Sequence, residues 1–129
     1  PYVYYRLLKE DPKRAEEVME LLQFNEGNSS GRGIGCISWD GSVHADQFMR
    51  IHTFGNVLER PFSDIWVDPE IELLHKFKDK KPHVKGRCAT CRFLPICGGN
   101  FRARAEAWYG DIWAQDPACY LTEEEIAAE

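Results

Sequence analysis

The chain has 129 residues, 43% of them apolar, and a formal net charge of −5. That is enough apolar material for one domain with a core of its own, while no apolar run approaches the length of a membrane span. The acidic balance excludes a general nucleic-acid binder, whose affinity depends on a basic face that displaces counterions. The charge is nevertheless uneven: His83, Lys85, Arg87, Arg92, Arg102 and Arg104 gather in one stretch, and Asp and Glu dominate both ends. Five cysteines, an odd number, with no secretory signal point to a reduced, cytoplasmic compartment rather than a disulfide framework. The chain starts at Pro1, not Met, and runs straight into Tyr2-Val3-Tyr4-Tyr5, as expected of a piece of a longer protein.

In chain order, Asp11-Pro12 is a helix-start signal, and Ala15, Val18, Met19 and Leu22 recur at helical spacing, which predicts a helix over about 12–24. The Gly- and Ser-rich run 27–33 ends it in a loop, so residues 1–32 form an N-terminal helix and connector. Two extended stretches, 34–39 and 42–46, flank Asp40-Gly41, a dipeptide that tolerates positive φ and closes hairpins. A short extended piece follows at 54–57. Ser63 is then placed to cap one turn through Trp66, and Asp68-Pro69 opens a helix to about Lys80. Residues 101–109 have helical propensity and stop at Gly110; Thr122 and Glu125 match a capping box. The expectation is an α+β fold, a small β-hairpin plus several short helices organised around a four-cysteine site over 33–129.

That site is the pattern Cys88-x2-Cys91-x5-Cys97-x21-Cys119, followed after the third cysteine by Gly98-Gly99. Two thiolates two residues apart can bind one centre from a single turn, and a glycine pair lets main-chain N–H groups approach the sulfurs. Four thiolates complete either a tetrahedral zinc or a 4Fe-4S cubane. Structural zinc sites commonly use two C-x2-C pairs, and only one is present here. The irregular spacing favours the cubane, with zinc as the alternative.

The run Gly86 to Gly99, with Cys88, Cys91 and Cys97, resembles the SPASM domain, the C-terminal auxiliary-cluster region of radical S-adenosylmethionine (SAM) enzymes. That family's pattern is C-x(9–15)-G-x4-C, C-x2-C-x5-C-x3-C and a final C. Cys36 with Gly41 matches its opening and Cys119 its end, but Asp46 and Phe101 stand where two cysteines belong. The resemblance therefore implies one 4Fe-4S cluster on Cys88, Cys91, Cys97 and Cys119, with a second auxiliary cluster lost. Cys36 becomes a buried apolar-like cysteine or, on the sharper reading, an extra ligand. Segments 39–48, 54–57, 97–105 and 116–121 are further similar to the branch of the family that trims side chains of siroheme-derived tetrapyrroles in heme and heme d1 biosynthesis.

By the same resemblance, the catalytic C-x3-C-x2-C motif, its own 4Fe-4S cluster and the S-adenosylmethionine site belong to a radical SAM barrel in the same parent chain, since this sequence has no such triple. The implied substrate is an anionic tetrapyrrole, with a peptide as the alternative. Arg102 and Arg104 are the candidates for its carboxylates, because planar guanidinium groups bind two oxygens at once. Their i, i+2 spacing places them on different helix faces, and His44 on the hairpin is a third candidate. A zinc-stabilised interaction module is the rival from another class. Trp108, Tyr109, Trp113 and Tyr120 are expected to shield the centre from water.

Overall fold

The computed structural model describes residues 1–127. Seven helices and one antiparallel pair follow in the order α1 (Tyr2–Glu10), α2 (Pro12–Asn25), β1 (Cys36–Ile37), β2 (Val43–His44), α3 (Phe62–Trp66), α4 (Glu72–Lys78), α5 (Leu94–Cys97), α6 (Arg102–Tyr109) and α7 (Glu123–Ala127). These elements bear out the α+β class. They fall into two compact units: Ser29–Lys80, and Pro1–Asn28 together with the chain from Lys81 onward. The N-terminal helices thus belong with the cysteine-bearing half. Among the described residues no helix is long and apolar enough to cross a membrane.

In the cysteine-bearing unit, α1 was not predicted, and it is fused to α2 through one residue. Asp11 leaves helical geometry at φ −152°, and its N–H closes α1 on the Leu7 carbonyl. Its carboxylate then accepts the Arg14 N–H (3.2 Å), while Pro12 occupies the first turn, where its missing N–H costs nothing. The core is Phe93, Ile96, Leu121 and Ile126, with Tyr4, Tyr5, Met19, Leu22, Cys91 and Cys119 packed around it. Tyr4 meets Phe93 edge-on, with ring centroids 6.0 Å apart. The predicted capping box holds α7 reciprocally: Glu125 N–H donates to the Thr122 hydroxyl, and Thr122 N–H to the Glu125 carboxylate.

In the Ser29–Lys80 unit the predicted strands shrink to two residues each, paired as Cys36↔His44 and Ile37↔Val43. The extended piece at 54–57 lies along the pair, with Val43 bonded to Gly55 and Phe54, and Ser42 bridged to Asn56. The helix expected from Asp68-Pro69 begins only at Glu72. Asp68 accepts the Glu70 N–H (2.9 Å) and Arg60 (2.7 Å), which holds 68–71 in a turn. Ser63 does not cap α3, which starts at Phe62 after Pro61. Val43, Met49, Ile65, Leu74 and Phe77 are buried. A polar clasp joins three distant segments of this unit: Lys80 Nζ donates to the Ser30 carbonyl (3.1 Å), and the Ser30 hydroxyl donates to Asp46.

Candidate metal centre

Cys88, Cys91, Cys97 and Cys119 line one cavity of about 390 Å³, within the range of ligand-binding pockets. All four are part-buried free thiols. An all-thiol set of this kind suits a cubane, which separates its sulfurs across its corners, as well as zinc, which draws four sulfurs tightly together with Zn–S bonds of about 2.3 Å.

Local sequence explains how each sulfur arrives. Gly86–Cys88 forms a 3-10 turn, and Cys91 N–H closes on the Cys88 carbonyl (3.2 Å), so the C-x2-C pair shares one bend. The short α5 then carries Cys97 and ends on three consecutive left-handed residues, Gly98, Gly99 and Asn100, with φ of 62°, 79° and 56°. At Gly99 a Cβ would lie 2.7 Å from Val84, so both its φ and its surroundings select glycine. Cys119 is delivered by Asp116-Pro117: the Asp116 carboxylate accepts the Ala118 N–H (3.0 Å), and the Cys119 N–H reaches the Asp116 carbonyl (3.3 Å).

The Cys91 sulfur accepts the Phe93 N–H (3.4 Å). Burial pushes the Cys88 and Cys97 thiols up, opposed by the main-chain groups of Asp116 and Gly99 and, at Cys88, by the Arg102 charge. Such donors stabilise the thiolate form that binds metal.

The arginines are occupied by the protein itself. Arg104 makes a two-pronged pair with Asp116, Nε to Oδ1 at 2.8 Å and Nη2 to Oδ2 at 2.6 Å, and its edge lines the cavity. Arg87 donates to the Leu121 carbonyl and pairs with Glu123 (2.9 Å). Arg102 is buried and donates to the Gly99, Ile112 and Ala114 carbonyls. Cys36 and His44 sit opposite one another on the hairpin of the other unit. His44 is buried, and its Nδ1 donates to the His52 carbonyl (2.7 Å).

The expected aromatic shield differs from what is observed: Trp108, Tyr109 and Tyr120 are exposed, although Tyr120 borders the cavity, and Trp113 packs on His83. The apolar wall comes instead from Phe93, Leu94 and Leu121. Sequence reasoning assigned no role to Asp116. Its signal was the Asp-Pro dipeptide three residues before a ligand-type cysteine.

Asp116 is almost wholly buried. Burial works against its charge, but the Arg104 fork, the Ala118 N–H and the charges of Arg104 and Arg102 outweigh it and hold the carboxyl below its ordinary value. A depressed folded-state pKa stabilises the fold above the unfolded value of about 3.9, and that contribution fades as pH falls through the folded one. Asp116→Asn is expected to cost about 1–2 kcal/mol at pH 7, a figure reduced because Arg104 is partly exposed, and less at pH 3. Urea denaturation at the two pH values checks this; equal losses would contradict it.

Four thiols lining one cavity, with a buried cation alongside, are a donor set of the kind that holds an iron–sulfur cluster. Residues 30–92 match the family model of SPASM, described as an iron-sulfur cluster-binding domain. The chain is similar to the Fe-coproporphyrin III synthase of Methanosarcina barkeri, 64% identical over 98% of this chain and 32% of that protein. The pre-heme d1 synthase of Dinoroseobacter shibae is 45% identical over 74% of this chain and 24% of its own length. An AdoMet-dependent heme synthase of Methanosarcina barkeri is 29% identical over 90% of this chain and 33% of its own. The chain thus spans about a third of the length of the relatives it matches. No solved structure matches it.

Proposed function

We propose that this chain is the auxiliary-cluster domain of a radical SAM enzyme, holding one 4Fe-4S cluster on Cys88, Cys91, Cys97 and Cys119. The observation that carries the reading is the convergence of those four thiols on a single cavity. The donor set fits: sulfur-only ligands, an amide N–H on one of them, and a buried guanidinium whose Nε has no partner among the described residues. When bound, such a cluster supplies one-electron redox chemistry. This chain's residues hold it, orient its ligands and limit water around it.

In this reading the parent chain also contains a radical SAM barrel with S-adenosylmethionine and a second 4Fe-4S cluster, and it works in the cytoplasm. Its substrate is an anionic, siroheme-derived tetrapyrrole, a class supported by the names of the similar proteins. Arg104, at the cavity edge, is the better placed of the three substrate-side candidates, although Asp116 occupies two of its donors. Arg102 and His44 are buried and already bonded.

The test is the full-length protein purified without oxygen. Iron and sulfide matching two 4Fe-4S clusters, visible cluster absorption, and turnover of a siroheme-derived tetrapyrrole but not a peptide are expected. A colourless protein with one zinc per chain overturns the reading.

A further inference from the structure

Arg102 is the most deeply buried charged residue of the cysteine-bearing unit, at 1% exposure. Its hydrogen-bond partners among the described residues are main-chain carbonyls: Nη1 donates to Ile112 (3.2 Å) and Ala114, and Nη2 to Gly99. Among the described residues no carboxylate accepts from it, unlike Arg104 with Asp116 or Arg87 with Glu123. Its Nε is buried and lacks a hydrogen-bond partner. Carbonyls satisfy hydrogen bonds but do not cancel a net charge, and a guanidinium does not discharge by losing its proton. The Asp116 carboxylate acts on it only through space and is already forked by Arg104, so further negative charge beside the guanidinium is favourable.

The three carbonyls show where that counter-charge would lie. Gly99, whose oxygen holds Nη2, lies two residues after Cys97. Ala114, whose oxygen holds Nη1, lies two residues before Asp116, whose turn delivers Cys119. The guanidinium therefore ties together the two segments that deliver Cys97 and Cys119. The negative charges of Cys88, Asp116 and Cys97 act on Arg102 in the same sense, favouring its protonated form.

We propose that Arg102 is a positioning residue whose buried charge compensates the anionic cysteine-bound cluster and holds its reduction potential up, rather than a ligand for substrate. This deepens the cluster reading and rests on it. Local charge and hydrogen bonding to the sulfurs are among the factors that set a cluster's potential: a cation stabilises the more negative, reduced state.

The experiment is an EPR-monitored redox titration of the full-length, iron-loaded protein as wild type, Arg102→Gln and Arg102→Lys, with circular dichroism to check folding. Arg102→Gln is expected to move one cluster to a more negative potential, and Arg102→Lys, which keeps the charge, to restore most of the shift. An iron-loaded Arg102→Gln protein with the wild-type potential overturns the proposal. Should the Gln variant not fold, Arg102→Lys decides alone: a potential near wild type supports the charge role, and a clear fall despite the retained charge overturns it. A wild-type protein without iron instead overturns the cluster reading itself, so the two failures are distinct.

Discussion

Alanine at any one of Cys88, Cys91, Cys97 or Cys119 is expected to reduce the iron held by this domain to near background. The four thiols share one cavity, and Cys91 and Cys119 also pack against the core of Phe93, Ile96, Leu121 and Ile126. Removing one sulfur thus withdraws a ligand and, at these two positions, loosens the wall behind it. Because metal binding is coupled to folding, a loss of about 4 kcal/mol or more in the iron-loaded protein is expected. Cys36→Ala, in β1 opposite His44, is expected to keep its iron. Iron analysis and visible spectra of the five variants check the assignment. Iron lost from the Cys36 variant, with retention in one of the other four, would contradict it.

Gly27→Ala is expected to have the second largest effect, although it removes no ligand. Gly27 follows α2 at φ +81°, and a Cβ there would lie 2.2 Å from the Cys97 carbonyl oxygen and 2.6 Å from its carbon. Both are main-chain atoms and cannot rotate away. The end of α2 or the Cys97 turn must therefore move. The expected cost is about 2–4 kcal/mol, with lowered iron occupancy because Cys97 is displaced. Gly110→Ala provides the comparison. Its φ of +69° is similarly left-handed, but nothing lies within 4 Å of the added Cβ, so only the backbone strain of about 1 kcal/mol applies. Denaturation midpoints and iron content of the two variants measure the difference, and equal behaviour would show that the Cys97 approach is unimportant.

These cases show which parts of the molecule were legible in sequence. Helix α2 and the α7 capping box were readable because a cap acts on residues three positions away, all within one short window. The four-cysteine pattern was readable because thiolate spacing restricts what a turn can bind. Helix α1 was not, since Tyr2 to Glu10 is fixed by its packing on Phe93 and Tyr120, about a hundred residues away. Arg102 was placed among the substrate-side candidates for the same reason. Its burial depends on the carbonyls of Ile112 and Ala114, which no local pattern announces. The start of α4 was misjudged because the Asp68 side chain competed for the backbone that its cap signal was expected to organise.

Asp46 fastens its own unit through its carboxylate. Where the family pattern places a cysteine, this carboxylate takes the Ser30 hydroxyl and the N–H groups of Phe48 (2.7 Å) and Met49 (2.8 Å), while Lys80 holds the Ser30 carbonyl. Its lone pairs are committed to its own chain. The Ser29–Lys80 unit is fastened at this point by hydrogen bonds among its own residues, which a chelator does not touch.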